Sequence, residues 1–411
     1  MKRVLIFTVI LCSLILTSCF NPVYYEIRKD VKPEEGTIFG NILQITRTTV
    51  DNKEFLVLYA NEGIRYKQKD ISEHGTWKTF NNIPCESLVF DNVTQTFNGE
   101  QVLNLFSDKD TLYAITAKYK YNTELGTSNA DYLKLYATQL HLDESDSTGF
   151  TWAENNEWKP IIDDTDKKYF PLTGADSSSD YQSSSFAVFQ TNSPMAEHRK
   201  VFIRSGKSAD STKYYTLNGL DAPIECTSQI SLADGSTNIA NSAVYFDGEI
   251  LFFNSLASTT NETYDTEATR FYFGINSELY ANKNANSKEI VKFCDAENRI
   301  SSLATCADSI LIGRGRFGND STTNGGITKT TLDENGNPGT KLVSFDTNAS
   351  FQLSTAYLIN CIVNASPEKK EIESSLYSSV SIKGTGTSTG ASFRNLGLWS
   401  YYPSRGNWNR E

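Results

Sequence analysis

The chain has 411 residues, with 49 acidic against 38 basic side chains, a formal net charge of −11, three histidines and seven cysteines. A surface of that sign repels phosphate backbones and acidic lipid headgroups, which sets nucleic acid aside as a partner. Beyond the first twenty residues no stretch is long and apolar enough to cross a bilayer as a helix, so any membrane attachment needs another device.

Lys2 and Arg3 precede an almost unbroken apolar run from Val4 to Leu16, the charged and hydrophobic regions of a secretory signal. At 1.5 Å per residue that run covers roughly 20 Å of a roughly 30 Å hydrocarbon core, too little to span it. Leu16-Thr17-Ser18-Cys19 resembles the bacterial lipobox, with leucine three positions before the cysteine and small residues between. The resemblance implies that residues 1–18 are removed and that Cys19 carries diacylglyceryl and palmitate-type acyl chains. Several chains on one residue hold a soluble domain at a membrane permanently, whereas one does not. Phe20 and Asn21 follow the cysteine with no aspartate beside it, a pattern that resembles the signal for the outer rather than the inner membrane of the cell envelope. An ordinary signal peptide followed by an incidental cysteine is the plainer alternative. Loss of Lys2 and Arg3 would leave a mature charge of about −13.

Residues 19–35 are polar, carry Pro22 and Pro33, and read as a tether; a folded domain follows over 36–411. Helical periodicity is scarce there. Short runs rich in β-branched and aromatic residues recur instead, separated by Asp, Asn, Gly and Ser clusters, so the class is all-β. Six units emerge in order. The first takes Ile42 to Ile45, Phe55 to Tyr59, Ile64 to Tyr66 and Trp77 to Phe80; the second takes Val102 to Phe106, Leu112 to Ala117, Tyr132 to Leu140 and Trp158 to Ile162. The third runs through Phe186 to Phe189, Val201 to Ile203, Tyr214 to Leu217 and a weak strand near Ile224. The fourth combines Ala243 to Phe246, Ile250 to Phe253, Arg270 to Ile275 and Ile290 to Phe293. The fifth has Ser301 to Thr305, Ile310 to Ile312, Ile327 to Leu332 and Leu342 to Phe345. The sixth has Phe351 to Leu353, Tyr357 to Val363, Leu376 to Ile382 and Leu398 to Tyr402.

Four strands per unit, repeated, is the pattern of a β-propeller, here with six four-stranded blades; a seven-bladed ring with one blade merged and a pair of β-sandwiches are the alternatives. Such a sheet cannot bury both faces alone, so neighbours stack and the ring closes. The polar stretches Asn122 to Ala130, Asp163 to Asp180 and Asn254 to Ala268 read as insertions on the surface.

Ser145-Asp146-Ser147-Thr148-Gly149-Phe150-Thr151-Trp152 resembles the Asp-box of neuraminidase-repeat propellers, with Ser147 standing at the acid's position; Ser72-Glu73-His74-Gly75-Thr76-Trp77 is a shorter, degenerate copy. In that family the box is a structural turn, so the resemblance implies a propeller and no activity. Phe202-Ile203-Arg204-Ser205 has the wrong order for a sialidase arginine motif, and no sialidase residue is carried over.

Gly313-Arg314-Gly315-Arg316-Phe317-Gly318 spells a dinucleotide fingerprint, but the polar, glycine-rich Asn319 to Gly326 stands where its helix should begin. Arg314 and Arg316 are left as a rim pair able to meet an anionic ligand, with Trp408, Tyr401 and Tyr402 as candidate exposed aromatics. Asp333 to Gly339 alternates oxygen side chains as a calcium loop does, yet lacks the final carboxylate and holds Asn-Gly, a hairpin signal. His74, His141 and His198 have no metal-ligand spacing, and Asp163-Asp164 and Glu34-Glu35 read as solvated loop charges. No cofactor is expected. Cys85, Cys226, Cys294, Cys306 and Cys361 are odd in number; Cys294 and Cys306 could cross-link, or all five could be small buried hydrophobes. The expectation is a lipid-anchored envelope protein offering a propeller surface to a protein or glycan. A carbohydrate-active hydrolase or lyase, with carboxylates gathered at the axis, and a structural part of an envelope assembly are the alternatives.

Overall fold

Lys53 to Ala60 shows why sheets of this chain stack. Its run is apolar at successive positions, so both faces of the strand need cover. In the computed structural model Phe55 and Val57 point into one neighbouring sheet, and Leu56, Leu58 and Ala60 into the other. The structure describes residues 38–411 except 41, 62, 70–75, 124–126, 173–184, 192–198, 207–210, 233–242, 247–249, 254–258, 265–269, 285–286, 297–298, 316–324, 346–356 and 384–392.

The described residues form antiparallel sheets in strict chain order, with two short 3₁₀ turns and no α-helix. Sheet one holds β1 (Ile45–Val50), β2 (Lys53–Ala60), β3 (Gly63–Gln68) and β4 (Lys78–Phe80). A small hairpin, β5 (Val89–Asp91) and β6 (Thr96–Asn98), leads to sheet two: β7 (Gln101–Asp108), β8 (Thr111–Asn122), β9 (Thr127–Gln139) and β10 (Lys159–Asp163). Sheet three is β11 (Phe186–Gln190), β12 (Val201–Ser205), β13 (Lys213–Thr216) and β14 (Ile224–Glu225). Sheet four is three-stranded: β15 (Ile230–Leu232), β16 (Ala243–Phe246) and β17 (Ile250–Phe253). Sheet five holds β18 (Thr259–Tyr264), β19 (Arg270–Ile275), β20 (Glu278–Asn282) and β21 (Ile290–Asp295); sheet six holds β22 (Ile300–Thr305), β23 (Ser309–Arg314), β24 (Ile327–Thr331) and β25 (Val343–Ser344). Sheet seven is β26 (Tyr357–Asn364), β27 (Leu376–Lys383), β28 (Phe393–Tyr402) and β29 (Asn407–Arg410).

The fold is therefore an all-β propeller, with seven blade sheets among the described residues beside the small β5–β6 hairpin: the seven-bladed alternative with one blade merged, rather than six blades. The unit expected from Ala243 to Phe293 is two sheets, because the polar strand Thr259–Tyr264 opens a new one beside Arg270–Ile275. In the last unit Phe351 to Leu353 lies outside the described residues; Tyr357–Asn364 comes first, and the edge strand Asn407–Arg410 completes the sheet. Asn122 to Ala130, expected as a polar insertion, instead carries the ends of β8 and β9.

Among the described residues, apolar clusters join six of the seven pairs of neighbouring sheets, and sheets four and five meet through β17 against β18 and β19. Leu112 and Val102 meet Val57, Ile203 meets Tyr113 and Leu135, and Ile230 meets Phe202 and Cys226. Leu303 and Ile310 meet Leu279, and Ile362 and Leu376 meet Leu311. The last sheet packs on the first through Val363, Leu398 and Tyr377 against Leu56 and Leu58, closing the ring. A backbone seam reinforces the closure: Ile38 N–H donates to the Glu411 carbonyl at 3.3 Å, Ile38 accepts from Leu398 N–H at 3.1 Å, and Asn61 N–H donates to Phe39 at 3.0 Å. Gly397 is required there, since it has φ +79° and a side chain would run into the Ile38 carbonyl. Gly313 and Gly315 have the same use between sheets six and seven, where a Cβ would meet Ile359, so the glycines of the fingerprint serve close backbone approach.

The turn resembling an Asp-box is formed, with a shifted acid. Asp146, not Ser147, accepts from the Thr148 and Thr151 N–H groups, both at 2.9 Å, and from the Phe150 N–H at 3.2 Å. Gly149 supplies the positive φ of +66°. Trp152 is 1% exposed and stacks on Tyr66 of sheet one, centroids 4.1 Å apart, while its backbone N–H donates to the Tyr66 hydroxyl at 3.1 Å. The second degenerate box lies outside the described residues except Thr76 and Trp77, and Trp77 packs edge-on against Tyr377.

Truncating Trp152 to alanine empties a fully buried site, and the Trp152→Ala variant should lose about 3–5 kcal/mol in urea unfolding. Asp146→Ala should lower the melting temperature and Ser147→Ala leave it unchanged; the reverse order would return the acid's role to position 147.

Candidate functional site

Three first strands, β1, β7 and β11, bring neutral hydrogen-bonding side chains to one place. The Gln190 carbonyl oxygen accepts from the Thr46 hydroxyl at 2.9 Å, the Ser107 N–H at 3.0 Å and the Gln44 amide at 3.1 Å. Asn104 donates to Gln44 at 3.2 Å, and the Thr46 and Ser107 hydroxyls lie 2.9 Å apart. Gln44 is half-buried, whereas Gln190 is 9% exposed and its buried amide nitrogen has no acceptor among the described residues. Period-two alternation places Gln44 and Thr46 on one face at the start of the first strand, whereas Asn104 and Ser107 stand three apart on β7 and so on opposite faces of it.

Beyond this network, toward the turns that end β1 and β7, the charges pair. Arg199, fully buried, reaches Thr49 at 3.1 Å and ion-pairs with Glu54. Burial opposes the Glu54 charge, but Arg199, with help from Lys69 and Arg47, holds its carboxyl below the usual range. Arg47 donates to the Asn364 carbonyl at 2.6 Å, tying sheet one to sheet seven. Asp108, at the end of β7, is 9% exposed with one oxygen lacking a donor; burial pushes it up to about 6 against the pull of Lys200 and Lys109.

A tyrosine and a glutamate do meet in sheet two: the Tyr136 hydroxyl donates to Glu100 at 3.3 Å, beside Thr116 at 2.7 Å and the Lys134 ammonium at 2.9 Å. Burial, then the Glu100 charge, pushes the phenol up to about 12. It stays protonated at neutral pH and is held as a donor.

The residues singled out in the sequence do not converge. Cys19 and Arg316 lie outside the described residues, and Arg314 is half-buried at the end of β23. Trp408 is not a rim aromatic. It is 2% exposed, because alternation on the edge strand β29 turns it inward onto Phe345 and Tyr401. Tyr402 is likewise buried and Tyr401 half-buried. The Asp333 carboxylate is occupied by the N–H groups of Asn335 and Asn337, both at 2.8 Å, around Gly336 at φ +74°: a hairpin, as Asn-Gly signals. Asp163 is exposed, but Asp164 is 1% exposed and accepts three backbone N–H groups from Lys168 to Phe170, so it is no solvated loop charge. His141 is exposed; His74, His198, Glu34 and Glu35 lie outside the described residues. All five cysteines named above are free thiols, so Cys294 and Cys306 are not cross-linked; burial raises the thiols of Cys85, Cys306 and Cys361 to about 12 and that of Cys294 to about 11.

Sequence reasoning missed Gln44, Asn104 and Gln190. Their only signal is an amide side chain in or beside an otherwise apolar first strand.

The chain matches no protein-family model and no curated protein. Among solved structures it is similar to the sialidase of Trypanosoma rangeli in complex with the inhibitor DANA, at 10% identity, 88% of this chain, 55% of that one and a TM-score of 0.35. It is also similar to the SapL1 lectin in complex with alpha methyl fucoside, at 9% identity, 87% and 97% coverage and a TM-score of 0.35. A third is the Aleuria aurantia lectin, at 11% identity, 90% and 94% coverage and a TM-score of 0.34. The chain spans about half the length of the sialidase it matches.

Asp108 gives a signed pH prediction. Its folded value of about 6 stands above the roughly 3.9 of an unfolded aspartate, so the group favours the folded state in acid and that contribution is lost as pH rises toward 6. Asp108→Asn should therefore gain on the wild type between pH 4 and 6, by about 2 kcal/mol, and hold a constant advantage above pH 7. Urea midpoints across that range that stay parallel would refute the assignment.

Proposed function

We propose that this is a lipid-anchored binding protein of the cell envelope, tethered through Cys19 at the outer membrane, whose ring offers neutral hydrogen-bonding groups to a glycan or protein. The Gln190 amide carries this reading. Its oxygen is saturated by three donors while its buried NH2 finds no acceptor among the described residues, which leaves its hydrogens to a ligand oxygen. An unpaired buried donor costs about 1–3 kcal/mol, which an incoming acceptor would recover. Gln44, half-buried, and Asn104 add amide groups that both donate and accept, as hydroxyl-rich ligands require.

The competing reading, a hydrolase or lyase on carbohydrate, draws on the contact between Tyr136 and Glu100. A phenol raised to about 12 and a carboxylate already taken by Lys134 and Thr116 suit a structural clasp better than a nucleophile and its base.

Purified protein screened on a glycan array and against a glycosidase panel separates the two. Retention of at least one glycan, weakened tenfold or more in Gln190→Leu and with no turnover, is the expected outcome; turnover abolished by Tyr136→Phe would overturn it. Metabolic labelling with palmitate should mark the wild type and not Cys19→Ala, and an unlabelled wild type would remove the anchor.

A further inference from the structure

The hairpin of β8 and β9 is longer than its sheet needs. Its twelve- and thirteen-residue strands run past β7 and β10 and project as an arm. The two faces of the arm differ, as alternation dictates. On one face Tyr119 and Tyr121 pack against Phe90 and Phe97 of the β5–β6 hairpin, with centroids 4.9–6.4 Å apart, and Tyr119 donates to Gln101 at 2.6 Å. That layer stiffens the arm. The other face carries Lys120 directly opposite Asn129, and Asn122 opposite Thr127.

A β-bulge completes the second face. Lys118 pairs with Tyr132 and Tyr119 with Ala130, so Asp131 is the extra residue. Bulges re-aim side chains, and Asp131 joins Lys120, Tyr121 and Asn129 in lining a groove of about 460 Å³ at the end of the arm. That volume lies in the range of small-ligand clefts. Lys120, Asn129 and Asp131 are exposed. A solvated ammonium and carboxylate need no groove, and a bulge that serves only pairing need not bring an acid to a base.

We propose that the bulged arm of sheet two is a binding subsite for a neutral hydroxylated ring, one pyranose unit of a glycan. Asp131 accepts from adjacent hydroxyls, Lys120 donates to a hydroxyl or ring oxygen, and the Asn129 amide serves either role. The opposed charges of Lys120 and Asp131 leave the groove nearly neutral, so an anionic ligand meets the Asp131 carboxylate as soon as it reaches the ammonium. This rests on the binding reading above but uses a site separate from the Gln190 network.

The test uses the intact chain. Saturation-transfer NMR and titration with glucose, galactose, mannose, fucose and N-acetylglucosamine, and with their short oligomers, would be run on the wild type, Asp131→Ala, Lys120→Ala and Gln190→Leu. Asp131 and Lys120 are both exposed, so circular dichroism and melting of their alanine variants should match the wild type. At least one neutral sugar should bind, weakened tenfold or more by Asp131→Ala and by Lys120→Ala and unaltered at the arm by Gln190→Leu. Binding undiminished in both arm variants overturns the subsite and leaves the wider binding reading standing. Absence of binding by every sugar in every form overturns the subsite together with the glycan branch of the binding reading. Preferential binding of inorganic phosphate, strengthened by Asp131→Ala, would show an anion site and overturn the neutral-ring assignment.

Discussion

Everything in this molecule depends on sheets that cannot stand alone. A strand such as β2 exposes apolar side chains on both faces, and burying each is worth about 1.5–3 kcal/mol only if a neighbour covers it. Covering one face passes the problem to the next sheet, and the succession ends when the last sheet meets the first. That meeting has more than apolar contact. Ile38 bridges Leu398 and Glu411, and the buried Lys67 ammonium of sheet one donates to Tyr402 at 2.7 Å while facing the rings of Tyr377 and Tyr402. Burial lowers the Lys67 pKa, with Glu411 at 3.7 Å opposing the shift, and the Tyr377 and Tyr402 hydroxyls sit 2.7 Å apart. A cation so enclosed is tolerated because donor, carboxylate and aromatic faces surround it.

The inter-sheet joints repeat one device. The turn between the third and fourth strands of sheet two leans back on sheet one, through Trp152 on Tyr66 and Lys53 donating to the Gly149 carbonyl at 2.6 Å. The corresponding turn of sheet six leans back on sheet five, where Arg270 donates to Asn337 at 2.7 Å and Tyr272 to the Gly336 carbonyl at 2.8 Å. In both, one aspartate organises the turn, Asp146 or Asp333, and a tyrosine of the preceding sheet receives it. The second turn lacks the tryptophan and the serine–threonine frame, so the shared element is the carboxylate gathering backbone donors and not the motif spelled around it.

This explains what could be read in advance. The class, the strand pairs joined by short acidic turns, and the stacking were legible because β-branched runs and turn residues act locally: Asp51 and Asn52 both adopt positive φ between β1 and β2, and Lys109 does so between β7 and β8. The seventh sheet was not, since Thr-Thr-Asn-Glu-Thr-Tyr carries no apolar alternation and gains its place only by pairing with β19. Trp408 was misread because an aromatic near the end of the chain gives no clue to which way its strand faces. Ser147 was favoured over Asp146 because the motif was matched by spacing, whereas the turn holds one more residue between acid and glycine. Gln190 and the Asp131 bulge were invisible for the same reason: both depend on partners far along the chain or on a register shift.

The two polar places left by this construction differ in kind. The Gln190 network lies where three first strands approach one another, so its geometry is inherited from ring closure and shifts only if the ring does. The arm of β8 and β9 leaves the ring, and its stiffness comes from an aromatic layer contributed by the small hairpin inserted between sheets one and two. A close-packed interior transmits strain between neighbours, so the first place is coupled to every inter-sheet joint, including the seam at Ile38. The second is insulated by its projection. Were the protein anchored through Cys19 as proposed, a pull on that anchor would reach the seam between sheets seven and one by way of Ile38, whereas the arm on sheet two stands away from that seam.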